Sequence, residues 1–95
     1  MIDTELNAAV ATKVMGFKDY DQVRWFEPAT NYYQAFEIVF AMKDKGWFIK
    51  LMDAIEVEEY ICEFHTPTFP PKSASAIADT ISKAICLAAL AALEK

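Results

Sequence analysis

Glycine is nearly missing from this chain: Gly16 and Gly46 are the only two in 95 residues. That excludes a glycine-rich loop of the kind whose backbone amides cradle phosphates. One histidine, His65, and two cysteines, Cys62 and Cys86, are too few for the recurrent His and Cys patterns of zinc sites. Neither an HExxH sequence nor a nucleophile elbow occurs. Positive charge is scarce as well. Nine basic residues stand against fourteen acidic ones, for a net charge of −5. The nine are scattered, which argues against nucleic-acid binding, whose affinity needs a clustered basic surface. No apolar run approaches the roughly 20 residues that span a bilayer, so no membrane attachment is expected. The opening MIDTELNAAV lacks the basic segment of a secretory signal. Buried, reduced thiols are the expected state of both cysteines, and the cytoplasm is the expected location.

Apolar surface, by contrast, is plentiful. Hydrophobic residues make up 55% of the chain and aromatic ones 14%, which excludes disorder. The length fits one domain, residues 1–95, with a small core. The last sixteen residues, TISKAICLAALAALEK, place Ile81, Ile85 and Ala88 at helical spacing. Ala84, Leu87, Ala91, Leu90 and Leu93 widen that surface until the helix is apolar around most of its girth. Such a helix must be covered by a sheet or by a partner chain.

The remaining elements read as follows. A first helix starts at Asp3 or Thr4 and ends at Met15, before Gly16, with Leu6, Val10 and Val14 on one stripe. Phe17–Thr30 mixes charge and aromatics and is stopped by Pro28. It is either a short edge strand at Val23–Phe26 or an ordered loop pinned by Trp25. Asn31 followed by Gln34 resembles a capping box opening a second helix, which Gly46 closes. Ala35, Phe36, Val39 and Met42 form its expected buried stripe, flanked by Ile38 and Phe40. Alternation from Trp47 to Met52 and from Glu59 to Thr66 marks two strands, joined by an acidic linker, Asp53–Glu59, too poor in glycine for a tight turn. A proline-rich loop, TPTFPPK, precedes a weak third strand at Ser73–Ala78, and Asp79 or Thr80 caps the last helix. The fold class is α+β: helix–helix–β–β–β–helix, with an antiparallel sheet of three to four strands packed against helices.

Three segments, KVMGFK (Lys13–Lys18), DKGWFIKL (Asp44–Leu51) and KAICLAALAAL (Lys83–Leu93), point to one family. The chain resembles the phage ABA sandwich domain family, small proteins encoded by phages and prophages. AICLAAL after the Asp-Thr cap is the most specific piece. The likeness extends over nearly the whole chain, which departs from the pattern in lacking a glycine-rich hairpin turn and in carrying a proline-rich loop. What the resemblance implies is a phage context and a layered α+β domain; it carries no functional residue. The element order is also similar to that of the double-stranded-RNA-binding domain. There the start of the last helix grips phosphates with a basic cluster, whereas Asp79–Lys83 offers one lysine and one aspartate.

Chemistry-bearing constellations are few. Cys62 and His65 are three positions apart on a strand and so point to opposite faces, which gives no Cys–His pair. Glu56, Glu58, Glu59, Glu63 and His65 could gather around a hard cation, but an acidic hairpin reads more simply as a solvated sheet edge. No metal and no cofactor are expected. The most suggestive group is Arg24-Trp25 with Tyr32-Tyr33. Aromatic faces stack planar rings, while arginine and the free amides of a helix start attract anions. Lys50 adds a cation from the sheet. The alternative is that Trp25 and Tyr33 plug the open side of the core.

Apolar surface in excess of what one small sheet can cover predicts a homo-oligomer, most simply a twofold dimer. The expected function is non-catalytic: a phage-encoded accessory protein that sequesters a small anionic, nucleotide-like ligand through Arg24, Trp25, Tyr32, Tyr33 and Lys50, in counter-defence. The alternative is a protein-interaction module that docks on a host or phage protein and has no pocket.

Overall fold

The computed structural model describes residues 2–54 and 58–94, except the side chains of Asp53 and Ala54. Its elements follow the expected order: α1 (Asp3–Lys13), α2 (Tyr32–Asp44), β1 (Phe48–Ala54), β2 (Glu59–His65), β3 (Ser73–Ala78) and α3 (Ile81–Leu93). The sheet is an antiparallel meander in the order β1-β2-β3, so the lower of the two expected strand counts holds.

Local chemistry sets the helix boundaries. Asn31 Oδ1 accepts the Gln34 N–H at 3.1 Å, and Thr80 Oγ1 accepts the Lys83 N–H at 3.2 Å, so α2 and α3 are capped as read. α1 differs: Ile2 is its N-cap and no side chain caps it, while Asp3 and Glu5 sit in the first turn beside the positive end of the dipole. It also ends at Lys13, two residues early. At the far end of α2, Gly46 takes φ +94°, and the Trp47 N–H reaches back to the Met42 carbonyl at 3.0 Å. That reversal closes the helix and starts β1 at once.

Strand register sorts the sheet's two faces. Ile49 faces Phe64 and Leu51 faces Cys62, while Phe64 pairs with Ala74 and Cys62 with Ala76. Cys62, Phe64 and Ala74 are buried, so this face looks into the core. The alternate residues Phe48, Lys50, Met52, Ser73, Ser75 and Ile77 are exposed, and among the described residues no helix covers that outer face. β1 runs two residues past the expected Met52, into the acidic linker, and pairs Ala54 with Glu59. Residues 55–57 of that linker, Glu56 among them, lie outside the described residues.

α3 is the centre of the molecule. It packs on β2 and β3 and is also contacted by α1 and α2. Ala84, Ile85, Cys86, Ala88 and Ala89 are wholly inaccessible. Small side chains all round let three neighbours approach one helix axis closely, since close packing leaves no room for longer ones. The surplus apolar surface read from α3 is thus absorbed within one chain. In α2 the buried stripe is Ala35, Ile38, Val39 and Met42. Ile38 belongs to it and Phe36 does not, a rotation of the expected stripe by part of a turn.

Cys62 and Cys86 are both free and buried. Burial pushes each thiol up from 9.0 to about 12, because the thiolate would lose its hydration.

Candidate functional site

Residues 14–31 form an ordered loop rather than an edge strand. Its anchor is Phe26, which has no exposed surface. The Phe26 ring meets Phe17 edge-on at 5.5 Å and Trp25 at 6.0 Å, and its carbonyl accepts the Tyr20 hydroxyl at 2.9 Å. Burial, then the nearby Glu27 carboxylate, push the Tyr20 phenol up from its usual pKa. Deeper in, Asn7 of α1 is 5% exposed and accepts the buried Ala29 N–H at 2.8 Å. That bond ties the loop's exit to α1. Gln34 of α2 donates to the Trp25 carbonyl at 2.9 Å and accepts the Glu27 N–H. The glutamine expected to complete a capping box instead straps the loop onto the first turn of α2.

That strap displays aromatic side chains. Trp25 is 62% exposed, Tyr32 53% and Tyr33 86%, so Trp25 and Tyr33 are not core plugs. The pin is Phe26, one residue beyond the one expected. Arg24 is exposed and engaged: its Nη2 and Nε donate to Asp21 Oδ1 at 2.7 and 3.0 Å. This contact holds the guanidinium above its usual pKa. Lys50 stands apart. It lies on the outer face of β1, opposite Glu63, with the helices on the other side of the sheet. Of the five expected residues, Trp25 has its backbone strapped to the first turn of α2, which Tyr32 and Tyr33 open, Arg24 precedes it in the loop, and Lys50 lies elsewhere.

Beside Tyr32 a cleft of about 300 Å³ opens between the starts of α2 and α3, at the small end of the range for ligand pockets. Ala29, Thr30, Tyr32, Thr80, Ser82 and Lys83 line it. The first amides of a helix have no intrahelical acceptor, so two helix starts bring unpaired N–H groups and positive dipole ends to one place. Lys83 Nζ lies 3.6 Å from Asp3 Oδ1 and 3.6 Å from Asp79 Oδ1, and neither carboxylate lines the cleft. Both caps were readable in the sequence. That the two capped ends face one another was not, because no local pattern encodes the packing of α2 on α3.

Other candidates are quickly placed. Cys62 and His65 do point to opposite faces, as the register requires. His65 stacks on Phe48 at 5.9 Å, and its Nδ1 is shut off from solvent without a hydrogen-bond partner among the described residues. Among those residues no three or more His, Cys, Asp or Glu side chains are grouped to hold a metal ion. Nor is any helix among them long and apolar enough to cross a membrane.

Comparison with known protein families adds a broad match. The model of the phage ABA sandwich domain aligns with residues 8–90. The chain belongs to this family. The match runs from the middle of α1 to Leu90 of α3 and includes the loop, both helix starts and the cleft between them. It fixes a phage-associated α+β domain. No characterised protein and no solved structure gives a significant match.

Proposed function

We propose that this member of the phage ABA sandwich family is a non-catalytic accessory protein that sequesters a small anionic, nucleotide-like ligand, in counter-defence, as a homo-oligomer. The observation that carries the reading is the display of Trp25, Tyr32 and Tyr33 on the surface around the start of α2. Large aromatic rings leave water readily, so three of them held outward at a helix start need a reason. Stacking on a planar ring, with the ligand's negative charge against helix amides, supplies one. The phage setting supports the counter-defence role. Arg24→Ala combined with Trp25→Ala is expected to weaken nucleotide binding at least tenfold by calorimetry, since stacking on one ring contributes about 1–3 kcal/mol, and to leave the melting curve nearly unchanged. Equal affinity in the folded double variant would remove the reading.

Exposed apolar side chains support self-association. Phe36 and Phe40 of α2 are 38% and 62% exposed, and Tyr33 lies on the same helical face. Phe40→Glu is expected to convert the oligomer to monomer in light scattering; a wild-type chain already monomeric at high concentration would end this part of the proposal. The same exposure favours the alternative reading, docking on a host or phage protein. Native mass spectrometry separates the two: a retained mass of a few hundred daltons supports sequestration, and its absence from a protein that captures a partner supports docking.

A further inference from the structure

Ser82 is, with Asn7, one of the two buried polar side chains among the described residues, and is 3% exposed. Unlike Asn7, its hydroxyl has no hydrogen-bond partner among the described residues, and it lines the cleft between α2 and α3. The residue is packed on its other sides, so its hydroxyl is placed to bond a group held in the cleft, as donor or acceptor. The neighbouring groups are donors too. The Thr80 hydroxyl spends an oxygen lone pair on the Lys83 N–H and keeps its proton, and Thr30 has only a long contact, 3.5 Å, to the Glu27 carbonyl. To these are added the Tyr32 phenol, the Lys83 ammonium and the leading amides of α3. A wall of donors fits a ligand that only accepts.

The geometry points to this cleft as a phosphate subsite, in which Ser82, Thr80 and the first amides of α3 donate to phosphate oxygens and Lys83 neutralises them. The assignment rests on the nucleotide reading above and deepens it. Tyr32 lies at the cleft's edge and among the displayed aromatics, so a base stacked outside would be joined to a phosphate held inside. It also replaces Arg24 and Lys50 as the cations: the first is taken by Asp21 and the second sits on the far face of the sheet. Asp3 and Asp79 compete with a phosphate for Lys83 and set its affinity low.

The test is a titration of the ¹⁵N-labelled full chain with inorganic phosphate and, separately, with adenosine 5′-monophosphate. Phosphate is expected to shift the amides of Ile81, Ser82, Lys83 and Tyr32 along one saturable curve. Ser82→Ala removes only a hydroxyl and is expected to weaken phosphate about tenfold, as for a hydrogen bond to a charged group. Asp3→Asn with Asp79→Asn is expected to strengthen it several-fold. Unchanged phosphate affinity in Ser82→Ala, or no saturable shift at the cleft, overturns the subsite. If the monophosphate shifts Trp25 and Tyr33 but not the cleft, the subsite falls and the nucleotide reading stands. If phosphate saturates the cleft and the nucleotide binds no tighter, the subsite stands and the nucleotide reading falls.

Discussion

Phe26→Ala is expected to destabilise the fold by about 3–5 kcal/mol, the usual cost of emptying a fully buried phenylalanine site. Phe26 has no exposed surface, and its ring is gripped edge-on by Phe17 and Trp25. Around it Val14, Pro28 and Ala29 are buried and Met15, Phe17 and Tyr20 are only partly so, which leaves Phe26 the one large side chain of the loop wholly enclosed. Removing the ring leaves a cavity beneath the Tyr20 and Gln34 contacts, so the damage spreads to the residues that display Trp25 and Tyr32. Denaturant titration should show a lower midpoint, and ligand affinity should fall even where the protein is still folded. Phe26→Leu keeps most of the volume and is expected to lose less than half as much. Trp25→Ala is the contrasting control: its ring is 62% exposed, so stability should change by about 1 kcal/mol or less. Were Trp25→Ala the more damaging of the two, the anchor would have been misassigned.

The contrast between Phe26 and Trp25 also marks where the sequence stops being legible. Elements with a period or a cap could be read: Asn31, Thr80 and Gly46 fixed helix ends through bonds made within a few residues, alternation revealed β1 and β2, and β3 was legible only as a weak run of small side chains. Their faces were harder. Phe36 and Ile38 are both apolar and two positions apart on α2, and only the place where α3 lies decides that Ile38 is buried. The loop from Val14 to Asn31 has no period at all. Its shape follows from Asn7 reaching Ala29, twenty-two residues away, and from Gln34 reaching back to Trp25. Long-range bonds of that sort leave no local trace. The candidate site inherits the same limit: its aromatics were visible as residue types, while the cleft arises from two helix starts brought together by the core. Lys50 shows the converse, a suitable charge placed by topology on the wrong side of the sheet.

Raising the pH above 9 should unfold the protein progressively, and the cysteines should account for much of the loss. Cys62 and Cys86 sit in the core with thiols pushed up from 9.0 to about 12, chiefly by burial. Below pH 9 both thiols are protonated, folded or unfolded, and contribute no pH dependence. Between pH 9 and 12 the unfolded chain releases protons that the folded chain holds, so the folded state binds more protons and stability falls as pH rises. Each buried thiol removes up to about 1.4 kcal/mol per pH unit in that window, so the pair is expected to cost about 2–4 kcal/mol by pH 10.5. Other groups titrate there too, Tyr20 with its raised phenol among them, so the thiol share is read by difference. The double variant Cys62→Ala with Cys86→Ala begins less stable at pH 7, because it loses buried volume, yet its stability should decline less steeply from pH 8.5 to 10.5. Parallel decline in the two proteins would mean that the thiols ionise within the fold. The native protein should likewise resist iodoacetamide at pH 8 and react fully once denatured, since the thiolate is the nucleophile and the core withholds it.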